Sequence, residues 1–174
     1  MNAPRPITIL GGGLAGLALG IGLRQAGVPV TIWEAGGYPR HKVCGEFLSG
    51  RGVELLERLG VEPVEARWAR TVRFAFGATA TDAEPLPQPA LCVSRWQLDA
   101  LLAGEFRRLG GELREHQRAA AQPVGEGTVR ATGRQVEPGR EPWRWFGLKV
   151  HARGVRMLAD LELHLTGHEY IGLC

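Results

Sequence analysis

Three glycines, at positions 11, 13 and 16, are followed by a glutamate at position 34, and this spacing suits one kind of chemistry. Gly11 permits a tight turn, and Gly13 has no side chain to keep a pyrophosphate from the backbone. Gly16 allows the following helix to pack closely against a sheet. Glu34 stands 18 positions after Gly16, near the ~20-residue spacing at which an acid accepts hydrogen bonds from a ribose. The pattern therefore predicts a dinucleotide site.

The elements around these residues are those that such a site needs. An apolar run predicts a first strand over 6–10, and a second predicts another strand over 29–33. Between them, an Ala/Leu/Gly-rich segment predicts a helix over 14–26, which Gly27 and Pro29 end. Leu14 and Ala15 open this helix, and the unpaired N–H groups of a first turn favour phosphate.

The apolar run over 7–23 also allows a signal peptide or a membrane helix as an interpretation. The run is short for a span of roughly 20 residues, and six of its 17 positions are glycine, which weakens a free helix. No small-x-small cleavage site follows it. The nucleotide interpretation is favoured over both, and no membrane span is expected.

Composition restricts the class of protein. The chain has 174 residues, 44% of them hydrophobic, and a net charge of +3, which is typical of a globular protein with a core. Its arginines are scattered among acids, so no nucleic-acid surface is expected. The three cysteines, Cys44, Cys92 and Cys174, lack the spacing of a zinc site or a disulfide framework. A cytoplasmic location is the default expectation.

The remaining patterns predict alternating loops, helices and strands. They are a loop over 35–50, helices over 52–59 and 95–109 (the second with Ser94 as N-cap), a strand over 71–76, a proline-rich turn over 85–89, a strand over 90–93, and strands over 143–151, 161–165 and 169–174. The last two, joined by a short turn, predict an antiparallel hairpin.

Three segments, taken in order, resemble the FAD-dependent oxidoreductases of the p-hydroxybenzoate hydroxylase-like superfamily, nearest the branch that contains geranylgeranyl reductases and flavin-dependent halogenases. They are GGGLAGLALG…TIWEAGGYPRHKVCGEFLSGRGVELLERLG, VSRWQLDALLAGEFRRLGGELRE and WFGLKVHARG…DLELHLTGHEYIGLC. The resemblance implies an α/β fold in which a Rossmann-like FAD/NAD(P)-binding βαβ domain, residues 1–142, precedes part of an antiparallel substrate-domain sheet, residues 143–174.

The resemblance also implies cofactor-binding residues. It assigns the FAD pyrophosphate to Gly11, Gly13 and Gly16, with the helix start at Leu14 and Ala15, and the adenosine ribose to Glu34. It places Arg40 and Lys42 in the loop on the flavin side of the cofactor. It assigns Arg95 to the phosphate or ribityl region of FAD. Where the family has an Asp-Gly pair, this chain has Thr132 and Gly133. The family's third motif would lie beyond position 174, so we expect the chain to correspond to the N-terminal part of such an enzyme.

Several residues have both a chemical and an ordinary interpretation. Cys44 is a candidate catalytic thiol or a small packed loop residue, and Glu46 is a candidate catalytic residue or an exposed loop carboxylate. Trp143 and Trp145 suit a substrate cavity or a core. The histidines at 151, 164 and 168 have no carboxylate spacing that makes a metal site.

Two functions from different classes follow. The first is an FAD-dependent oxidoreductase that acts on a hydrophobic or aromatic small molecule, by monooxygenation or by reduction of an isoprenoid-type double bond, with NAD(P)H as a possible electron donor. The second is a truncated, non-catalytic dinucleotide-binding module. The apolar alternation over 161–174 predicts an exposed sheet edge through which copies of the chain self-associate.

Overall fold

A computed structural model describes residues 3–63, 65–118, 125–133 and 146–174. The chain divides into two compact units, Met1–His41 with Trp96–Phe146, and Lys42–Arg95 with Gly147–Cys174. Trp143, Trp145 and the domain boundary expected after residue 142 lie outside the described residues, so that boundary stays a prediction.

The described residues form strands and helices in the following order: β1 (Ile7–Leu10), α1 (Leu14–Gln25), β2 (Val30–Trp33), β3 (Phe47–Leu48), α2 (Arg51–Leu59), β4 (Arg67–Phe76), β5 (Thr79–Ala80), β6 (Glu84–Cys92), α3 (Arg95–Arg108), β7 (Glu112–Arg114), β8 (Thr128–Arg130), β9 (Leu161–Leu165) and β10 (Tyr170–Leu173). Along this described part of the chain, no helix combines the length and apolar character needed to cross a bilayer.

The first unit contains a parallel sheet with the strand order β7-β2-β1-β8. Ile9 on β1 and Ile32 on β2 are fully buried. Helix α1 lies close to this sheet, since a Cβ added at Gly20 would stand 2.8 Å from Ile32 Cδ1 and 2.9 Å from Phe106 Cε2. Burying a side chain as large as Phe106 contributes about 1.5–3 kcal/mol. The βαβ unit predicted from the sequence is therefore confirmed.

The second unit contains a mixed sheet with the strand order β10-β9-β4-β6-β3, and β5 pairs with β4. Strands β9 and β10 form the predicted antiparallel hairpin, whose turn is closed by the Thr166 N–H donating to the Glu169 carbonyl at 2.9 Å. The buried core of this sheet contains Leu161, Ala69 and Ala90. The fold class is confirmed as α/β, but β9 pairs with β4 in parallel, which the antiparallel expectation did not include.

Two local expectations are wrong. The prolines expected in a turn over 85–89 lie within β6, where the register with β4 shifts between Ala69, opposite Ala90, and Thr71, opposite Pro85. This irregularity accommodates prolines, since they cannot donate to a ladder. The strand expected over 143–151 is also absent from its described part, because residues 146–151 have no ladder partner.

Candidate functional site

The turn between β1 and α1 requires glycine at two positions. Gly11 has φ +105°, and a Cβ added there would lie 2.5 Å from the carbonyl oxygen of Ala131, directly after β8. A Cβ added at Gly16 would overlap the carbonyl oxygen of Gly11. The Gly11 N–H donates to the Trp33 carbonyl at 2.8 Å. The glycine loop is thus held against the ends of β2 and β8 by close backbone contacts.

The first turn of α1 is suited to an anion. Gly13 is its N-cap, with an extended backbone, and the first helical hydrogen bond runs from the Leu17 N–H to the Gly13 carbonyl at 2.9 Å. The N–H groups of Leu14, Ala15 and Gly16 therefore precede the helical ladder. The first turn carries no acidic residue, so nothing on it opposes the positive end of the helix dipole.

Glu34, the residue after β2, lies beside this loop. Its side chain is buried, and its Oε2 accepts the Gly12 N–H at 2.8 Å. Its Oε1 accepts the Gly36 N–H at 2.8 Å and an Arg40 Nη2 hydrogen at 2.7 Å. A buried carboxylate is thereby placed within one hydrogen bond of the glycine loop.

Tyr38 and Arg40 complete this group of side chains. The Tyr38 hydroxyl donates to the Gly12 carbonyl, and its own N–H donates to Glu115 Oε1 at 2.9 Å. Burial, followed by the charge of Glu34, raises the pKa of Tyr38, so its hydroxyl stays protonated as a donor. Arg40 Nε is buried without a hydrogen-bond partner among the described residues. Tyr38 was not among the site residues predicted from the sequence, although it precedes Pro39 in the predicted loop over 35–50.

Glu46 is the centre of a second group, within the second unit. Its Oε1 accepts the Arg95 backbone N–H at 2.6 Å and contacts Lys149 Nζ, and its Oε2 lies 3.1 Å from His151 Nε2. The Glu46 side chain is only 10% exposed, so the exposed-carboxylate interpretation is wrong. Burial raises its pKa, but the bonds from Lys149, the Arg95 N–H and His151 outweigh that effect and lower the pKa overall. Glu46 is therefore ionised at neutral pH.

The other predicted residues have simpler surroundings. Cys44 is an exposed free thiol whose Sγ accepts the Glu46 N–H at 3.5 Å. Lys42 is half-buried in the same unit. Arg95 is the first residue of α3, and its backbone N–H is engaged by Glu46. His164 pairs with Glu162 at 2.9 Å.

A parallel βαβ sheet with a glycine turn, a helix N-terminus and a buried acid defines a nucleotide-binding α/β protein. More particularly, the chain belongs to the FAD binding domain family, which it matches over residues 5–153. The resemblance to flavin-dependent enzymes found in the sequence is thereby confirmed.

Two curated proteins are similar over part of the chain. The menaquinone reductase of Mycolicibacterium smegmatis is 37% identical over 71 residues, which is 41% of this chain and 16% of that protein. The squalene epoxidase erg1 of Schizosaccharomyces pombe is 32% identical over 75 residues, again 41% of this chain and 16% of that protein. The matched segment is therefore a small part of each relative.

Solved structures show the same fold. The tetrameric form of 2-methyl-3-hydroxypyridine-5-carboxylic acid oxygenase has a TM-score of 0.62 and 29% identity, over 71% of this chain and 35% of that one. The flavin-dependent halogenase CmlS has a TM-score of 0.56 and 27% identity, over 69% of this chain and 24% of that one. The chain thus spans about a third or less of the length of these relatives.

Proposed function

We propose that this chain binds FAD, with the cofactor pyrophosphate at the N-terminus of α1. The observation that carries this proposal is the combination of the Gly11 turn, the first turn of α1, which carries no acidic residue, and the buried Glu34 beside it. Gly13 leaves space for a phosphate, and the N–H groups of Leu14, Ala15 and Gly16 are its donors. The family match over residues 5–153 supports FAD as the nucleotide.

Glu34 and Arg40 have the chemistry for the rest of the adenosine half. The Glu34 carboxylate would accept hydrogen bonds from ribose hydroxyls. Arg40 has a buried Nε without a partner among the described residues, and a guanidinium can donate in pairs to phosphate oxygens. For Lys42 and Arg95, cofactor binding stays a prediction that rests on the family resemblance.

The activity proposed for the protein is that of an FAD-dependent oxidoreductase acting on a hydrophobic or aromatic small molecule. When bound, FAD supplies the electron-transfer chemistry, and the protein supplies binding and orientation. The relatives' names include a reductase, an epoxidase and an oxygenase, so the proposal covers both double-bond reduction and monooxygenation. NAD(P)H is the proposed electron donor, and a cytoplasmic location stays a prediction.

A second candidate is a nucleotide-binding module without turnover. One observation favours it: the chain covers 35% of the oxygenase structure and 16% of each curated relative. On this view the glycine loop and Glu34 bind the nucleotide as before, and the residues that complete a catalytic site belong to the parts of the relatives that this chain does not match.

Purification followed by absorbance spectroscopy tests the cofactor proposal. We expect flavin bands from the wild-type chain, and none from Gly13→Val, because a branched side chain would occupy the place of the pyrophosphate. At a hundredfold excess over its Kd, FAD should raise the unfolding free energy by about 2.7 kcal/mol. A larger effect of NAD than of FAD would contradict the proposal.

Anaerobic addition of NADH or NADPH to the FAD-loaded chain separates the two candidates. Bleaching of the flavin absorbance band, measured near neutral pH, supports the oxidoreductase proposal, since electrons must then have passed from the nicotinamide to the flavin. A protein that holds FAD tightly but whose band does not bleach with either donor, although dithionite reduces it, supports the non-catalytic module.

A further inference from the structure

The backbone of Glu46 is held in an unusual conformation. Its φ is +56°, a left-handed value that non-glycine residues seldom adopt unless the surroundings impose it. Its carbonyl accepts the Val93 N–H at 2.9 Å, and the next residue, Phe47, is paired with Cys92. The main chain at Glu46 is therefore fastened to the segment that leads directly into Arg95.

The Glu46 side chain reaches the same segment. Its Oε1 accepts the Arg95 N–H at 2.6 Å, and Arg95 is the first residue of α3. The first N–H groups of a helix have no acceptor within the helix, and a negative charge there is stabilising. Glu46 lies 49 positions earlier in the chain than Arg95. It thus supplies a hydrogen-bond acceptor of the kind that a helix-capping side chain provides.

Two side chains, Lys149 and His151, fix the orientation of the carboxylate. Lys149 Nζ contacts Oε1, and its side chain is only 13% exposed. His151 Nε2 lies 3.1 Å from Oε2. Both oxygens are therefore engaged, and the carboxylate cannot rotate away from Arg95 without losing a buried contact. Charge-assisted bonds of this kind are about twice as strong as neutral ones.

We propose that Glu46 is a positioning residue for Arg95, and that it affects FAD binding only by fixing the backbone from which the Arg95 side chain extends. The inference rests on the proposed function and on the prediction, from the family resemblance, that Arg95 donates to the cofactor. It assigns Glu46 a role other than moving a proton, because its contacts with Lys149, His151 and the Arg95 N–H keep it ionised. Lys149 holds the carboxylate in place.

A double-mutant cycle tests this relationship, because residues that act through one another give non-additive losses. FAD affinity is measured by titration calorimetry on the wild-type chain, Glu46→Ala, Arg95→Ala and the double variant. We expect Arg95→Ala to weaken binding at least about tenfold, the effect of losing one charge-assisted hydrogen bond. Glu46→Ala should weaken it by about three- to tenfold, and the double variant should match Arg95→Ala within about twofold.

The conservative variant separates positioning from a general loss of stability. Glu46→Gln keeps a carbonyl oxygen for the Arg95 N–H, so its FAD affinity should stay within about threefold of the wild type, although its melting temperature falls because Lys149 is left unpaired. Glu57→Ala, which removes an exposed acid on α2, is the matched control and should change neither quantity. If Glu46→Ala fails to fold, Glu46→Ser, which also removes the carboxylate, replaces it in the cycle, and its loss of FAD affinity should vanish in the Arg95→Ala background.

Three results would overturn the inference. They are wild-type affinity in Glu46→Ala, losses that add in the double variant, and a Glu46→Gln protein as weak as Glu46→Ala. Each of these leaves FAD binding by the wild-type chain intact, so the proposed function survives them. A wild-type chain that binds no FAD would overturn the proposed function and this inference together, and the wild-type titration alone reveals that case.

Discussion

The Glu34 carboxylate accepts the backbone N–H of Gly12 at 2.8 Å, which joins the end of β2 to the loop that follows β1. The same carboxylate accepts the Gly36 N–H and an Arg40 hydrogen. One buried acid therefore orders the glycine loop and the loop after β2. This arrangement makes the geometry of both loops depend on a single side chain, the same one that is proposed to bind the ribose.

Replacing Glu34 by alanine should therefore reduce both stability and cofactor affinity. The Gly12 N–H would be left buried without its acceptor, at a cost of about 1–3 kcal/mol in unfolding free energy. The lost bonds to ribose should weaken FAD binding by about 1.5–3 kcal/mol. Urea unfolding and titration calorimetry measure the two effects, with Glu57→Ala as the exposed-acid control. A variant with wild-type affinity would show that Glu34 has only a structural role.

Two glycines of α1 should respond oppositely to alanine. At Gly16 a Cβ would overlap the Gly11 carbonyl, whereas at Gly22 an added Cβ would meet nothing within 4 Å. Gly22→Ala should stabilise the chain by about 0.5–1 kcal/mol, because alanine loses less backbone entropy in a helix. Gly16→Ala should destabilise it by about 1–3 kcal/mol and weaken FAD binding, since the helix start must shift.

Urea unfolding of both glycine variants, with unchanged m-values, measures these differences. Because the two positions lie in one helix and receive the same substitution, helix propensity cancels in the comparison. Equal stabilisation by both substitutions would mean that α1 does not pack against the glycine loop as described.

The part of the fold that local pattern dictates was predictable. Apolar runs and turn residues predict the strand–glycine–helix–strand order of residues 7–34. In the structure, β1, α1 and β2 begin within one residue of the expected positions. The closeness of Gly11 to Ala131 was not predictable, because it depends on β8 pairing with β1 in parallel. Such a pairing over 120 positions leaves no local signature.

The contacts of Glu46 were likewise not predictable from the sequence. Its partners Arg95, Lys149 and His151 lie 49 to 105 positions away, and its left-handed backbone is imposed by those contacts rather than by its residue type. The period of residues 146–150 is that of a strand, yet Phe146 is 84% and Leu148 is 94% exposed. Alternation alone therefore could not distinguish a strand of the sheet from a segment outside it whose Lys149 contacts Glu46.

The lowered pKa of Glu46 gives a prediction about pH. A carboxyl whose pKa is lower in the folded chain than its ordinary value of 4.5 contributes stability above that value, and loses it as pH falls through the folded pKa. We expect the wild type to exceed Glu46→Gln in unfolding free energy at pH 7. The difference should shrink steadily as the pH is lowered below about 4.5.

Urea unfolding at a series of pH values measures that difference directly. Glu105, Asp160 and Glu162 also have lowered pKa values, so both proteins lose stability in acid, and only the gap between them reports on Glu46. A gap that is constant over the range would contradict the ionised ion-pair arrangement with Lys149.

The outer strand β10 should mediate self-association. It stands at the end of the strand order of its sheet within the described residues, and Tyr170 and Ile171 on it are 69% and 62% exposed. An exposed strand edge with apolar side chains is a template for pairing with another copy. We expect the chain to form oligomers whose fraction rises with protein concentration in light scattering.

A lysine at this edge should reverse the association. Ile171→Lys places a charge where a second strand would pair, and charged edge residues are a common protection against such pairing. The chain should then scatter as a monomer, with its melting temperature little changed because Ile171 is mostly exposed. Leu55→Lys is the matched control, since Leu55 is 44% exposed on α2, and it should self-associate like the wild type. A wild-type chain that stays monomeric at every concentration would contradict the prediction. Equal loss of association in both variants would show that the added charge, rather than a change at the β10 edge, prevents self-association.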